Sequence, residues 1–591
     1  MVAASVAGAV CVNGLATTHA HAASPRAEIR GLNDKTLRQE IAAAIGEAPS
    51  PVSRLEARRR AQEAADTATA VLRSEGYYDA TVEPDIGEGD APQPFVVVTP
   101  GPRTQIVDPG IDWVEGAPDK AAQDVAMQAL GLKPGQPARA VEIIAAEGRA
   151  VAALQNQGYA DAAARIREVV VDHADHSMRP RFRIASGSEV RLGEVKLEKR
   201  GRTRLRWLAH LTPWKRGDRY RPAKVAELER RLLDTGVYDS VTVALAPADE
   251  AVGGLRPVIV NLADRPKGVL ELGASYSTTE GAGVNSSWTV YNRFGRADTL
   301  TTTVQFAQID SRLQTELALP HWRKPEETLK LTGAIYRDHT SAYDVVGAGL
   351  AADLTHRYGK TSFLTYGASF DETQTTEREA AEFIRGGRLR VLSTFGLLAA
   401  FSADRSNDPL NPTTGFRLSG RLEPKDNVGD GSIAYVKTSA QASVYWPVLG
   451  SDATVIAARV RIGSILGGSI PRVPAPDRFY AGGGGSVRGF AYQAVGPRYP
   501  DNTPTGGLSL FESAFEVRQR LTQRWGAVAF IDAGSVGEQI APNFQRPDIG
   551  VGVGLRYNLG FGPIRVDFAT PLTARRGDSP FQIYLSVGQS F

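Results

Sequence analysis

One arginine in this sequence stands in a setting suited to ion pairing. Arg488 lies in the run R-F-Y-A-G-G-G-G-S-V-R-G-F of residues 478–490, where the glycines let the backbone fold tightly. The run belongs to a segment, about residues 471–507, between two strand-like stretches. Loops of that length are usually functional or disordered. The chemistry that Arg488 offers is a forked contact with a carboxylate through two parallel hydrogen bonds.

The other motifs that could do chemistry are incomplete. Ser535 lacks the nucleophile elbow of a hydrolase, because Ala533 stands where that motif requires glycine. The glycines 482–485 lack the Lys-Ser/Thr of a phosphate loop. His173 and His176 lie in a polar segment without the cysteine or acidic cluster of a metal site, so we interpret them as exposed loop residues. We therefore expect no enzyme, no cofactor and no metal.

Composition directs the interpretation toward a membrane barrel. A net charge of +3 in 591 residues gives no bulk attraction to nucleic acid, and 42% apolar residues exclude a disordered chain. No run approaches the roughly 20 apolar residues of a spanning helix, so a membrane crossing would need a closed barrel. Residues 1–22 are predicted to be a signal peptide that ends in Ala20-His21-Ala22 and contains Cys11, the single cysteine.

Strand-like alternation fills the second half of the chain. From Gly268 onward, alternating runs, polar turns and glycines recur, a pattern typical of about sixteen strands of roughly ten residues each. The last strand has an apolar face (Phe581, Ile583, Leu585, Val587 and Phe591) and a polar face (Gln582, Tyr584, Ser586, Gly588 and Ser590). A sandwich strand can look the same, but a phenylalanine in the last position resembles the insertion signal of bacterial outer-membrane barrels.

Asp532 is the predicted partner of Arg488. Alternation places Val528, Phe530, Asp532 and Gly534 on one face of a strand, with Ala527, Ala529 and Ile531 on the other. A carboxylate is costly in lipid and requires a partner, so the face of Asp532 is the predicted lumen.

Three glycines of the neighbouring strand complete this predicted site. Gly550, Gly552 and Gly554 share one face and leave a trough that another backbone can approach. We predict that the loop tip lies in this trough, with Arg488 bound to Asp532. Glu512, Glu516 and Arg518, on one face of the preceding strand, are secondary candidates. The alternative is an extracellular loop with a solvated arginine.

Four motifs resemble the BamA/TamA family of outer-membrane assembly barrels. Val487-Arg488-Gly489-Phe490 resembles its lid-loop signature, and residues 530–534 (F-I-D-A-G) resemble its barrel-wall motif. Residues 562–567 resemble its penultimate strand, and residues 407–415 a turn between mid-barrel strands. The resemblance implies a weak seam between a first strand containing Gly273 and a last strand containing Gly588 and Phe591. It also implies that the seam opens sideways and templates client strands, with no bond made or broken.

The first half of the chain repeats one motif three times. Glycine at positions 76, 158 and 236 begins G-Y-Y-D-A, G-Y-A-D-A and G-V-Y-D-S, each after a helical pattern and before a strand-like run. The predicted order is β-α-α-β-β, which resembles the POTRA module that binds extended peptides at a sheet edge. The predicted domains are residues 23–102, 103–187 and 188–265, followed by a barrel over 266–591. Three α+β spacer domains are the alternative.

Three repeats resemble the TamA branch of the family, the translocation and assembly module. That resemblance implies a TamB-like partner anchored in the inner membrane, client outer-membrane proteins, the lipid bilayer and no nucleic acid. Two other functions remain open from the sequence: a transporter pore of the two-partner secretion type, and a general assembly factor of the BamA type. A plain porin would not require periplasmic repeats.

Overall fold

The computed structural model describes residues 24–89, 92–277, 281–359, 361–378, 388–559, 563–587 and 589–591. The predicted signal peptide and Gly588 lie outside these ranges. The chain divides into two compact units, which are described separately. The first comprises Met1–Glu194, Trp214–Val225 and Ala246–Pro257, and the second Val195–Pro213, Ala226–Leu245 and Val258–Phe591. In the described part of the chain, no helix is long and apolar enough to cross a membrane.

The first repeat packs two helices on a three-stranded sheet of order β2-β5-β4. Asp34 caps the first helix by accepting from the backbone N–H of Thr36 and Leu37, and Ser53 caps the second by accepting from that of Glu56. The elements are β1 Ser24–Pro25, β2 Glu28–Arg30, α1 Lys35–Ile45, β3 Glu47–Ala48, α2 Arg54–Ser74, β4 Thr81–Ile86 and β5 Pro94–Thr99.

The second and third repeats follow the same order. In the second, β6, β7, β8 and β9 all pair with one long strand, β10. Its elements are β6 Gln105–Ile106, β7 Gly110–Val114, α3 Lys120–Leu130, α4 Ala140–Asn156, β8 Ala163–Ala164, β9 Glu168–Asp172 and β10 Ser177–Ala185. Those of the third, whose segments belong to both units, are β11 Arg191–Leu197, α5 Leu205–His210, α6 Pro222–Leu233, β12 Tyr238–Leu245 and β13 Leu255–Asp264.

The first copy of the glycine motif lies at a junction between two repeats of the first unit. The carbonyl of Gly76 accepts from the N–H of Thr104 in the second repeat, at 2.9 Å. Asp79 of the same motif accepts from Nδ1 of His173 at 2.5 Å and of His176 at 2.8 Å, and these bonds hold its pKa below the usual range. The two histidines thus are partly exposed, as predicted, but they also hold the junction, which the sequence did not indicate.

Sixteen antiparallel strands form a single sheet in the second unit, each paired with the next along the chain. The strands are β14 Gly268–Ser277, β15 Gly281–Tyr291, β16 Thr299–Ala307, β17 Asp310–Pro320, β18 Glu327–His339, β19 Asp344–Tyr358, β20 Ser362–Thr376, β21 Leu389–Asp404, β22 Gly415–Gly429, β23 Ile433–Pro447, β24 Thr454–Leu466, β25 Ser509–Arg520, β26 Trp525–Gly537, β27 Asp548–Asn558, β28 Pro563–Pro571 and β29 Gln582–Val587.

This sheet is a barrel with a seam. The two end strands, β14 and β29, lie next to each other, although no ladder joins them within the described residues. Large apolar side chains such as Leu350, Leu397 and Trp446 face outward and are exposed, whereas Glu516, Asp532 and Asp567 are buried. The predicted fold class, tandem α+β POTRA modules followed by an antiparallel barrel of sixteen strands, is confirmed.

Candidate functional site: the lid loop on the barrel wall

The long loop predicted at residues 471–507 joins β24 to β25 and folds against the inside of the wall. Gly482, Gly483 and Gly489 adopt φ of 109°, 104° and 99°, conformations that favour glycine. The apolar side chains of the loop pack with those of the wall in one buried cluster. Its members are Tyr435, Ile465, Val473, Phe479, Ala481, Val487, Phe490, Val495, Leu508, Leu510 and Val536. We refer to residues 467–508 as the lid.

Arg488 and Asp532 are brought together by the structure, as the sequence predicted. Nε of Arg488 donates to Oδ2 of Asp532 at 2.7 Å, and Nη2 donates to Oδ1 at 2.9 Å. The backbone N–H of Arg488 also donates to Oδ2, at 3.0 Å. Both side chains are buried. The contact is therefore the forked, charge-assisted pair that a carboxylate and a guanidinium form when both are desolvated.

Two further carboxylates and a ring complete the surroundings of Arg488. Its Nη1 lies 2.7 Å from Oε1 of Glu516 and 3.1 Å from Oδ2 of Asp567. The guanidinium carbon lies 3.4 Å from the centroid of the Phe530 ring, within range of a cation–π interaction. Glu516 was a secondary candidate, whereas Asp567 was not selected as a site residue.

Arginines of the wall pair with Glu516 and Asp567. Nε of Arg518 binds Oε2 of Glu516 at 2.8 Å, and Nη1 of Arg556 binds Oδ1 of Asp567 at 2.5 Å. Arg565 lies farther away, with its Nε 4.0 Å from Oδ2 of Asp567. Three buried carboxylates thus face four arginines, one of which comes from the lid. Burying charges is costly unless each is paired and hydrogen-bonded. We call Arg488, Glu516, Arg518, Asp532, Arg556 and Asp567 the charge cluster.

Of the glycines in β26 and β27, Gly534 and Gly550 lie directly against the lid. A Cβ built on Gly550 would lie 1.8 Å from the carbonyl oxygen of Arg488, and one on Gly534 would lie 2.5 Å from Cγ2 of Val487. Gly552 instead makes room for the Phe530 ring, and Gly554 for the carboxylate of Asp567. The prediction that all three glycines of β27 receive the lid is therefore wrong for Gly552 and Gly554.

Several lid contacts escaped the sequence interpretation. Tyr584 of β29 accepts from the N–H of Gly489 at 3.1 Å and donates to the carbonyl of Phe490 at 3.0 Å. Arg459 of β24 donates to the carbonyls of Gly485 and Ser486, both at 3.0 Å. Glu512, a secondary candidate, accepts from the hydroxyl of Ser486. Tyr584 and Arg459 are buried. Alternation predicts that Tyr584 faces inward, but it does not predict which atoms of the loop the side chain contacts.

Phe591 was placed wrongly by the alternation of the last strand. The structure ends β29 at Val587, so the period of two does not extend to residue 591. The Phe591 ring lies inside the barrel, stacked on Tyr445 with centroids 6.4 Å apart. The guanidinium carbons of Arg459 and Arg518 each lie 5.3 Å from its centroid. Gly273, the other described seam residue, lies in β14 opposite Asn285.

Comparison with known proteins identifies the class. Residues 292–591 match the family described as the Omp85 superfamily domain, and the chain belongs to that superfamily. The chain is 24% identical over 430 residues to the outer membrane protein assembly factor BamA of Neorickettsia risticii, covering 69% of this chain and 56% of that protein. It is 21% identical over 379 residues to a SAM50-like protein of Schizosaccharomyces pombe, covering 60% and 78%.

A solved structure agrees with the fold. BamA of Haemophilus ducreyi lacking POTRA domains 1–3 superposes with a TM-score of 0.71 at 18% identity, over 82% of this chain and 99% of that one. The predicted BamA/TamA family is confirmed, as is the predicted location, an outer-membrane barrel with periplasmic POTRA modules. The chain spans 56% and 48% of the two BamA relatives it matches in Neorickettsia risticii and Nitratidesulfovibrio vulgaris.

Proposed function

We propose that this protein assembles client proteins into the outer membrane, with the lid controlling access to the seam. The observation that carries the proposal is the buried contact of Arg488 with Asp532, Glu516 and Asp567. A barrel whose loop tip is held in the lumen by three carboxylates is obstructed and does not suit an open pore. It suits a barrel whose resting state is closed.

The seam supplies the place where a client strand would pair. β14 has ten residues and β29 has six, so part of the β14 edge extends beyond β29. Unpaired N–H and C=O groups of such an edge form hydrogen bonds with an added strand. A client strand that pairs with β14 would enter the bilayer with its backbone polar groups satisfied, which the apolar core of the membrane requires.

The three repeats would serve as periplasmic docking modules. Their number supports a TamA-type protein with a TamB-like partner, and the other outcome is a general assembly factor of the BamA type. Affinity purification of the full-length protein from outer membranes under mild detergent separates the two. A large periplasmic partner that is lost on deletion of residues 24–102 supports the TamA type, whereas co-purifying lipoproteins support the BamA type.

The assembly function itself is tested by reconstitution. Full-length protein in liposomes is supplied with an unfolded outer-membrane barrel, and protease-resistant, folded client is measured over time. Arg488→Ala should insert and fold but lose most of the activity. Arg378→Ala is the matched control, because Arg378 forms an exposed lid ion pair with Asp501. Equal client folding by wild type and Arg488→Ala would refute the proposal.

A further inference from the structure

Residues 589–591, which follow β29, contact the same wall residues that hold the lid. We call these three residues the tail. The first link passes through Gln589, whose Oε1 accepts from Nε of Arg556 at 3.0 Å. Arg556 binds one oxygen of Asp567 at 2.5 Å, and Arg488 of the lid binds the other at 3.1 Å. Two side chains therefore separate Gln589 from the lid arginine.

The second link is shorter. The hydroxyl of Ser590 donates to Oε1 of Glu516, and this same oxygen lies 2.7 Å from Nη1 of Arg488. A single buried carboxylate oxygen thus accepts a hydrogen bond from the tail and forms an ion pair with the lid. If either partner leaves, Glu516 becomes free to reorient toward the other or toward Arg518.

Phe591 supplies the third link. Its ring lies beside Arg459, which holds the lid through the carbonyls of Gly485 and Ser486. Arg518 lies at the same distance from the ring centroid, and its Nη2 donates to the backbone oxygen of Phe591 at 3.3 Å. Each of the three tail residues is therefore connected, directly or through one further side chain, to a wall residue that contacts the lid.

The turn between β21 and β22 fixes the other side of the tail. The N–H of Gln589 donates to the carbonyl of Leu410 at 3.2 Å, and its Nε2 donates to Oδ1 of Asn411 at 2.9 Å. Nη1 of Arg518 reaches the carbonyl of Pro412 at 3.4 Å. This turn is the N-D-P-L-N-P-T-T-G segment of residues 407–415, and these contacts give it a specific role in holding the tail inside the barrel.

We propose that the lid and the tail are thermodynamically coupled, so that withdrawal of the lid loosens residues 589–591 and with them the end of β29 at the seam. The backbone connects the lid to the tail only through several whole strands. The coupling therefore runs through the side chains of the three links. Linkage makes it reciprocal: loss of the tail contacts must weaken the lid by the same factor. This proposal concerns the barrel alone and holds whether or not the protein assembles clients.

Amide hydrogen exchange of the full-length protein in detergent, followed by mass spectrometry, tests the coupling. In Arg488→Ala, peptides that cover the lid and peptides that cover residues 582–591 should both exchange faster, the latter by about tenfold, as is usual for coupled sites. In Arg378→Ala, the change should stay near the outer lid. Wild-type exchange of residues 582–591 in Arg488→Ala would overturn the proposal.

The reciprocal variant covers the case in which Arg488→Ala loosens the whole barrel. Gln589→Ala combined with Ser590→Ala leaves every lid residue intact. It should accelerate exchange of residues 482–490 several-fold while β18 to β20, on the far wall, exchange at the wild-type rate. Unchanged exchange of the lid in this double variant would equally overturn the coupling.

Discussion

Glu516 binds Arg488 of the lid through Oε1 at 2.7 Å and Arg518 of its own strand through Oε2 at 2.8 Å. One wall carboxylate therefore divides its two oxygens between a lid cation and a strand cation. Glu516 is fully buried, so the arrangement is maintained by charge pairing in the absence of water.

Replacement of Glu516 by glutamine keeps the shape of the side chain and removes its charge. The charge cluster would then hold three arginines and two carboxylates. Breaking one partner of a buried pair typically costs about 3–5 kcal/mol, so the urea midpoint of barrel unfolding, followed by the electrophoretic mobility of folded and unfolded barrel, should fall. Glu423→Gln is the control, because Glu423 pairs with the exposed Arg421, and its midpoint should stay close to wild type.

Replacement of Arg488 by lysine tests the forked geometry. Lysine keeps the charge, but its donors sit on a single nitrogen, which cannot make two parallel hydrogen bonds to Asp532 and also reach Glu516 and Asp567. Client folding should therefore fall nearly as far as in Arg488→Ala. Arg520→Lys changes an equally bidentate contact, with Asp452, at an exposed site, where ion pairs contribute little. Full activity of Arg488→Lys would show that charge alone suffices.

Gly550→Ala should displace the lid without removing any charge. The added Cβ would lie 1.8 Å from the carbonyl oxygen of Arg488, a distance that the backbone of the lid must relieve by moving away. Gly485→Ala is the matched control within the lid, because its Cβ would meet nothing within 4 Å. Trypsin cleavage after Arg488 in folded protein should accelerate in the first variant only. Similar protection of both variants would contradict the close approach.

His321 should make the second unit sensitive to acid. The residue follows β17, and its Nε2 donates to the carbonyl of Arg231 in α6 while its Nδ1 accepts from the N–H of Glu326, both at 3.1 Å. Only a neutral ring makes both bonds, and burial lowers the pKa of His321. The unfolded state then binds the extra proton first, so stability should fall as pH drops below about 6.5, the ordinary histidine pKa.

The measurement is the midpoint of thermal unfolding of the full-length protein at pH 7.5 and 5.5. His321→Gln keeps a donor near the Arg231 carbonyl and cannot be protonated. It should therefore show a smaller loss of stability between the two pH values than the wild type. An equal loss in both proteins would assign the pH dependence to other groups.

Regular strands explain what the sequence predicted correctly about the site. In β26 the period of two holds from residue 528 to 534, so the inward face of Asp532 and Phe530 followed from alternation. Phe591 was misplaced because the chain leaves the ladder after Val587, and nothing in the local residue types marks that departure. Asp567 and Tyr584 obey alternation too, but their partner lies 79 to 95 residues away in the lid, a pairing that no local pattern contains.

The pairing of Asp532 with Arg488 has a consequence for how the lid leaves. Withdrawal of Arg488 leaves Glu516 paired with Arg518, and Asp567 with Arg556 and with Arg565 at 4.0 Å. Asp532 then keeps no ion-pair partner among the described residues and becomes an unpaired carboxylate in a buried place. Solvation by entering water or replacement by another cation must compensate for it. The wall therefore behaves as a cation-exchange site. The free-energy cost of lid withdrawal is lower when a basic side chain that enters the lumen replaces Arg488 than when the carboxylate is left unpaired.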